Sequence, residues 1–336
     1  MGLSPSSLQM LLREASRRSF DGILLTLGRQ DVAFSYDFLV KNAGEYGVLL
    51  RNLNPNEIQL ASKPDAVRQG YISDECLYKA LGFSSFQALD CSDYESAHIM
   101  FDLNKSEIPK KLVDAFDVIL NGGTIEHIFH LPNALNNLYR MLKVGGRIIH
   151  IAPSSNYIDH GFVMFSPAFF WDFYSANNFE INTIQLIRHT KQADTDPWHF
   201  YDYLPGSLDH LSFGGLDNAL YAIVCIVTKT ENSTGNIIPQ QGYYLRVYES
   251  AAKNGGRKAA SLPSLQLTGT PSSLLLLSKS LCIADRPAEA LEAIKESIQL
   301  KETPEALSEL ACVYRSLGHK KQADKVMSLL GQKFPK

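Results

Sequence analysis

Residues 116–152 constrain the fold more than any other part of the chain. Residues 116–120 and 147–152 are short apolar runs that stop at an Asn-Gly-Gly sequence and at a proline, respectively, which predicts two buried strands. Between them, apolar side chains recur every three or four residues up to Gly145, which predicts a helix and its end. Two strands joined through a helix pair in parallel, with a right-handed crossover. The chain is therefore predicted to have an α/β fold.

Open parallel sheets bind ligands outside the carboxyl ends of their strands. Here those positions hold residues 121–127 after the first run and residues 153–160 after the second. Both segments contain side chains that can hydrogen-bond or exchange a proton. We therefore expect the functional site at this edge of the sheet.

Composition and charge narrow the class of protein. A chain of 336 residues, 45% hydrophobic and 20% charged, can build a core in one large domain or two. Its net charge of −3 gives no general attraction to nucleic acid or anionic membranes. No apolar run has the length of a membrane span, and the N-terminus lacks the pattern of a secretory signal. We expect a cytoplasmic protein with neither nucleic acid nor membrane partners.

The spacing of potential metal ligands predicts no metal site. The five cysteines are far apart and form no C-x-x-C pair, which argues against both a zinc site and a disulfide framework. No other cluster of metal ligands is apparent along the chain, so a magnesium-dependent mechanism is not favoured.

Three short stretches resemble class I S-adenosylmethionine-dependent methyltransferases. FDVI (116–119) is similar to the start of that family's fourth strand, GTIEH (123–127) to the segment after it, and LKVGG (142–146) to the approach to the fifth. The resemblance covers about residues 20–228. It implies a seven-stranded Rossmann-like methyltransferase sheet with helices on both faces, and S-adenosyl-L-methionine as the cofactor.

The first strand of such a sheet is predicted at residues 22–28. The family usually carries G-x-G-x-G at its end, because a backbone without side chains can approach the cofactor closely. This chain has LGRQD at 27–31, which resembles the L-G-R/K-Q form of a less-studied branch. The resemblance implies that residues from two segments bind the cofactor. After the first strand these are Gly28, Arg29 and Gln30, and after the fourth strand they are Asn121, Gly122 and Gly123.

Acidic residues end the next two predicted strands. Residues 86–90 close on Asp90, whose carboxylate can accept hydrogen bonds from both hydroxyls of a ribose. Residues 98–101 end next to Asp102, a position where family members often bind the adenine amino group. The resemblance therefore implies that Asp90 and Asp102 bind the cofactor. A turn or helix cap is the alternative role for Asp90.

Methyl transfer from a sulfonium is an in-line displacement, for which the protein mainly aligns the reactants. A hydroxyl acceptor also needs a base. His127 and His160 follow the fourth and fifth strands, and an imidazole with a pKa of about 6.5 can accept a proton at cellular pH. Glu126 is placed to orient one of them. These three are the candidate catalytic residues, with a structural role as the alternative for either histidine.

The domain prediction divides the chain into three segments. Residues 1–228 form the catalytic domain, within which 35–72 is an insertion or lid. Residues 195–211 are an aromatic loop that either faces the substrate or is packed. Residues 229–271 gain Asn, Gly, Ser, Gln and Pro, which predicts a linker. Residues 272–336 resemble tetratricopeptide helices in the spacing of their apolar and small residues. Because so few repeats are not stable alone, this helical tail is expected to dock on the catalytic domain, a second copy or a partner protein.

Two functions follow from these patterns. The first is an S-adenosylmethionine-dependent methyltransferase that O-methylates a small polar acceptor such as a sugar or glycan. The second is a non-catalytic, methyltransferase-like interaction protein that works through its helical repeats. A nicotinamide enzyme would need G-x-G-x-x-G after the first strand, and the chain lacks it.

Overall fold

The structure is a computed structural model that describes residues 2–192, 196–211, 214–245 and 287–334, together with 271, 274, 275, 278, 279 and 282. Its strands are β1 Ile23–Leu27, β2 Ser85–Asp90, β3 Ile99–Met100, β4 Phe116–Gly122, β5 Leu142–Ser155, β6 Glu180–His189, β7 His199–Asp202 and β8 Leu220–Thr228. Its longer helices are α1 Pro5–Arg17, α2 Tyr36–Glu45, α3 Pro64–Arg68, α4 Asp74–Leu81, α5 Leu131–Met141, α6 Pro167–Ala176, α7 Pro287–Leu300, α8 Pro304–Ser316 and α9 Lys320–Lys333.

The strands form one mixed sheet in the order β3-β2-β1-β4-β5-β8-β6-β7. Strands β3, β2, β1, β4 and β5 run parallel, and β8 pairs antiparallel with β5. The chain winds outward in opposite directions from β1 and β4, so the topological switch point lies between these two strands. The predicted Rossmann-like α/β fold is confirmed.

The sheet contains eight strands rather than the predicted seven. The additional strand, β7, lies in the segment predicted as an aromatic loop. It is only four residues long and mostly exposed, so it lacks the alternation of apolar and polar residues that identifies a longer strand.

The strand ends are level with one another at the switch point. Leu27 of β1 is paired with Leu89 of β2 on one side and with Asn121 of β4 on the other. Asn121 in turn is paired with His150 of β5. The residues that follow these positions therefore emerge at one edge of the sheet.

The chain divides into two compact units. The first comprises Met1–Ser166, Gln185–Tyr201 and Asn218–Asn236, and the second Pro167–Ile184, Asp202–Asp217 and Ile237–Lys336. Among the described residues, no helix has both the length and the apolar character that crossing a bilayer requires.

The core of the first unit joins the sheet to helices from the first eighty residues. Leu8 of α1 and Leu77 of α4 are fully buried in one cluster with Leu120 of β4. The segment predicted as an insertion contributes Leu39 and Ile72 to the same cluster, so it is anchored in the core. Its role as a lid stays a prediction.

The first residues of the predicted linker pack onto the first unit. The Lys229 backbone exchanges hydrogen bonds with Gly145 and Gly146. Its Nζ donates to Asp114 Oδ1 at 2.8 Å and to the Leu142 carbonyl at 2.6 Å. Residues 246–270, the larger part of the predicted linker, lie outside the described residues.

In the second unit, α7, α8 and α9 follow one another with short connections. Ala290 and Ile294 of α7 pack against Ala306 and Val313 of α8. Two of these side chains, Ala290 and Ala306, are small. The identity of these helices as tetratricopeptide repeats stays a prediction.

Candidate active site

Gly28 leaves an open space at the end of β1. Its φ of +74° is in the left-handed region that favours glycine, and its N–H donates to the Leu89 carbonyl at 2.8 Å. A Cβ placed on it would first meet Asp90 Oδ2 at 3.8 Å and Thr124 Oγ1 at 3.9 Å. Thr124 is fixed there because its hydroxyl donates to the Leu27 carbonyl at 2.8 Å. Backbone, carboxylate and hydroxyl groups from three strand ends thus surround one space.

The two predicted acids differ in their surroundings. The Ser92 N–H donates to Asp90 Oδ1 at 3.1 Å, while Asp90 Oδ2 faces Gly28. Asp90 therefore combines the turn-capping role with a position at the switch point. Asp102 Oδ1 accepts two hydrogen bonds of 2.9 Å from Asn104, and these bonds lower the pKa of Asp102. Asp90 is the last residue of β2, and Asp102 lies two residues after the paired strand β3.

Gln30 is buried between the ends of β1 and β4. Its Nε2 donates to the Leu27 carbonyl at 3.4 Å, and its Oε1 has no hydrogen-bond partner among the residues described. A Cβ on Gly122 would lie 2.6 Å from that Oε1, so the amide rests directly on the glycine backbone. This acceptor is therefore both unpaired and buried at the switch point. We call Gly28, Gln30, Asp90, Gly122 and Thr124 the strand-end cup.

Arg29 is engaged in an ion pair. Its guanidinium donates to both carboxylate oxygens of Asp74, at 2.8 and 2.6 Å, and lies over the ring of Phe86. The hydrogen bond to Asp74 raises the pKa of Arg29. The guanidinium therefore ties the loop after β1 to the start of α4, and its predicted contact with the cofactor stays a prediction.

Asn121 shapes the turn that follows β4. Its Oδ1 accepts the N–H groups of Thr124 and Ile125, at 3.1 and 3.2 Å, and Gly123 in this turn has a φ of +89°. These bonds orient the amide, so Nδ2 donates to His150 Nδ1 at 3.2 Å. His150 must then keep a lone pair on Nδ1 and be neutral. Complete burial lowers the pKa of His150 to about 3.

The neutral His150 predicts a loss of stability in acid. The unfolded chain binds a proton at His150 below a pH of about 6.5, whereas the folded chain binds it only near pH 3. Stability should fall through this window by about 1.4 kcal/mol per pH unit. Between about pH 6 and 4.5, the unfolding free energy of the wild type should drop ~2 kcal/mol more than that of His150→Asn. Urea denaturation at several pH values measures this. The exposed His199→Asn is the control, and parallel curves for wild type and His150→Asn would refute the assignment.

Glu126 is the most unusual side chain at this edge of the sheet. It lies in the short 3-10 turn Ile125–His127 and is fully buried. Neither carboxylate oxygen has a hydrogen-bond partner among the described residues. Burial raises the pKa of Glu126 to about 7. Its Oε1 lies 3.8 Å from His160 Nε2 and 4.0 Å from His127 Nε2. We call these three residues the Glu126 cluster.

The loop after β5 is held against the Glu126 turn by its backbone. The Phe162 N–H donates to the Glu126 carbonyl at 2.8 Å, and a Cβ on Gly161 would lie 2.9 Å from the same oxygen. This approach places the His160 ring 5.2 Å from the His127 ring, measured between centroids. Burial and the proximity of His160 lower the pKa of His127, which keeps that imidazole neutral at neutral pH.

A hydrogen-bonded chain adjoins the Glu126 cluster. His189 Nδ1 donates to the Thr190 carbonyl at 2.8 Å, so its Nε2 accepts from the Tyr157 hydroxyl at 2.6 Å. The Tyr157 ring is 5.5 Å from that of His160. Burial, with the nearby Glu126 carboxylate, raises the pKa of Tyr157 to about 12. Tyr157 therefore remains protonated and orders this side of the cluster.

The sequence did not single out Thr124, Tyr157 or His189. The polar and aromatic composition of residues 154–162 was the only signal for Tyr157. No metal was predicted, yet the fold brings one ligand atom from each of Glu126, His127 and His160 within 4.8 Å of one another. The spacing could not show this, because His160 lies on a different loop.

Comparisons with known proteins give distant similarities only. No family model matches the chain, and no curated protein matches it. Similar solved structures include a Thermotoga maritima S-adenosylmethionine-dependent methyltransferase, described as a possible histamine N-methyltransferase, at 13% identity and a TM-score of 0.32, covering 66% of this chain and 89% of that one. TehB from Haemophilus influenzae has 11% identity and a TM-score of 0.33, and the match covers 66% of this chain and 62% of TehB. A third structure is that of Haemonchus contortus phosphoethanolamine N-methyltransferase 2 in complex with S-adenosyl-L-methionine. It has 11% identity and a TM-score of 0.34, and the match covers 67% of this chain and 52% of that one. Such similarity does not extend to ligands, so we base function on this chain's own geometry.

Proposed function

We propose that the protein is an S-adenosylmethionine-dependent methyltransferase that methylates a hydroxyl group of a small polar acceptor such as a sugar or glycan. The observation that carries the proposal is the strand-end cup. A glycine backbone and a carboxylate share one open space at the switch point of a Rossmann-like sheet.

The groups of the cup suit a sulfonium nucleoside. The Asp90 carboxylate at the end of β2 is placed to accept hydrogen bonds from the two ribose hydroxyls. Asp102, one strand further out, is proposed to accept the adenine amino group. The Asp90 carboxylate, whose Oδ2 faces the space at Gly28, also favours a ligand that carries a positive charge.

The proposed role of the Glu126 cluster is to bind and activate the acceptor. S-adenosylmethionine supplies a methyl group on a positively charged sulfur, and the acceptor oxygen displaces the sulfur, which keeps the electron pair of the broken bond. His127 is neutral at neutral pH and half-exposed, so it can accept the hydroxyl proton. Glu126 Oε1 lies 3.8 Å from His160 Nε2 and 4.0 Å from His127 Nε2, and its proposed role is to orient one of these imidazoles.

Replacement of Asp90 tests the cofactor site. Asp90→Ala should weaken the binding of S-adenosylhomocysteine by roughly tenfold or more, because hydrogen bonds to a charged group contribute about 1.5–3 kcal/mol. Isothermal titration calorimetry measures the dissociation constant. Asp93→Ala removes an exposed acid from the same turn and should leave the constant unchanged. Equal binding by wild type and Asp90→Ala would contradict the ribose contact.

One observation favours the alternative function. Gln30 fills space on the backbone of Gly122 where the family's glycine loop would leave room. A protein that cannot bind the cofactor would be an interaction protein that works through its C-terminal helices, with a partner or a second copy. The same titration separates the two functions: no heat of binding at millimolar S-adenosylhomocysteine or S-adenosylmethionine would favour the interaction protein.

A further inference from the structure

We propose that Glu126, His127 and His160 bind a divalent transition metal ion, with Zn²⁺ as the best chemical match. Two imidazoles and one carboxylate form a ligand set that zinc and similar ions prefer and that Mg²⁺ does not. Three protein ligands leave at least one coordination position open.

The buried carboxylate is the first argument. An ionised carboxylate out of contact with water is strongly destabilised unless it is paired or coordinates a metal. Both oxygens of Glu126 are inaccessible and have no hydrogen-bond donor among the described residues. Within the same part of the chain, the only basic groups at ion-pair distance are the two imidazoles, and that of His127 is neutral at neutral pH. A bound cation would compensate for the buried charge.

The geometry is the second argument. With ligand bonds of about 2.0–2.2 Å, the ligand atoms of a tetrahedral zinc site lie about 3.3 Å apart. The Glu126 oxygen lies 3.8 and 4.0 Å from the two imidazole nitrogens, and all three atoms lie within 4.8 Å of one another. The side chains of His127 and His160 are 46% and 38% exposed, so both rings are able to turn inward by the remaining distance.

The surrounding loop supports a preformed site. The backbone bonds from the loop after β5 to the Glu126 carbonyl fix the two histidine-bearing segments relative to each other. Tyr157, held by His189, packs against the His160 ring. Partners of this kind orient the ligands of a metal site.

The position of the ion gives it a role. Thr124 of the strand-end cup lies in the same turn as Glu126, so the ion would sit beside the proposed cofactor site. An acceptor hydroxyl in an open coordination position would have a lowered pKa and release its proton to water before its oxygen takes the methyl group. The histidines would then act as ligands rather than as the base. This role rests on the proposed methyl transfer, whereas the binding of the ion does not.

Direct metal binding tests the site. Untagged protein, treated with a chelator and dialysed, is titrated with Zn²⁺ by calorimetry in the absence of cofactor. We expect one ion per chain, visible absorption bands when Co²⁺ replaces Zn²⁺, and no competition from Mg²⁺. His127→Gln and His160→Gln should each weaken the binding of Zn²⁺ by about 100-fold or more, as should Glu126→Gln. His130 is exposed and lies three residues after His127, so the control variant His130→Gln should bind Zn²⁺ like the wild type.

The outcomes are separable. Circular dichroism checks that each variant folds. If Glu126→Gln does not fold, the variants of the two half-exposed histidines still test the site. No saturable binding of Zn²⁺, or binding that all three variants retain, would overturn the proposal. Titration with S-adenosylhomocysteine should give the same affinity for His160→Gln and wild type. Binding of Zn²⁺ without binding of S-adenosylhomocysteine would leave the metal site standing and remove the proposed methyl transfer; the reverse would remove only the metal.

Discussion

The Gly28→Val variant should not bind S-adenosylhomocysteine measurably. The Cβ of residue 28 points into the strand-end cup, where its first neighbours are Asp90 Oδ2 at 3.8 Å and Thr124 Oγ1 at 3.9 Å. The two methyl groups of valine would extend beyond that Cβ and occupy the space proposed for the cofactor. We expect the dissociation constant from calorimetry to rise by about 100-fold or more, since close backbone approach requires a glycine here.

Gly145→Val is the matched control for this experiment. Gly145 has a φ of +79°, close to the +74° of Gly28, and a Cβ on it would meet nothing within 4 Å. Both variants therefore carry a similar backbone strain of about 1–3 kcal/mol, but Gly145 lies in the irregular stretch of β5 between the paired residues Leu142 and Arg147, at the end of the strand remote from the cup. Gly145→Val should bind S-adenosylhomocysteine like the wild type while losing similar stability. Normal binding by Gly28→Val would show that the cofactor does not use the cup.

The sequence predicted the parts of the fold that depend on local patterns. The strands β1, β2, β4 and β5 were identified because their apolar runs are continuous. The predicted bounds of β5 were wrong, since this strand begins at Leu142, within the predicted helix, and continues through Pro153 to Ser155. The parallel pairing of β4 and β5 followed from the helix predicted between them. For the same reason, the positions of Asp90 and Glu126 at the carboxyl edge of the sheet were predictable.

The contacts made by those residues were not predictable. Arg29 follows Gly28 directly and appeared to belong to the cofactor loop, but its partner Asp74 starts a helix that precedes the next strand. His160 and His127 meet only because the backbone at Gly161 approaches the Glu126 carbonyl. Contacts between distant segments depend on loop geometry, which residue types and spacing do not specify.

Arg147 and Glu14 form a buried ion pair, and we expect its loss to lower the stability of the protein strongly. Arg147 of β5 donates from Nη1 to Glu14 Oε1 at 2.6 Å, and their side chains are only 2% and 6% exposed. The guanidinium also donates to the carbonyls of Arg18 and Ser19 and lies over the ring of Phe20. This pair ties α1 to the end of β5 that is remote from the strand-end cup.

Glu14→Leu should lower the free energy of unfolding by about 3–5 kcal/mol, because it leaves the buried guanidinium without its counter-charge. Denaturant unfolding followed by circular dichroism measures the change.

The double variant Glu14→Leu/Arg147→Met should recover much of the loss, since two apolar side chains can replace a buried ion pair at little cost. Lys295→Met breaks the exposed pair with Glu292 and should cost less than about 1 kcal/mol. If Glu14→Leu is no more destabilising than Lys295→Met, the buried pair does not hold α1 to the sheet. A double variant less stable than Glu14→Leu would instead mean that Arg147 stabilises the fold through the two carbonyl groups and the Phe20 ring, independently of Glu14.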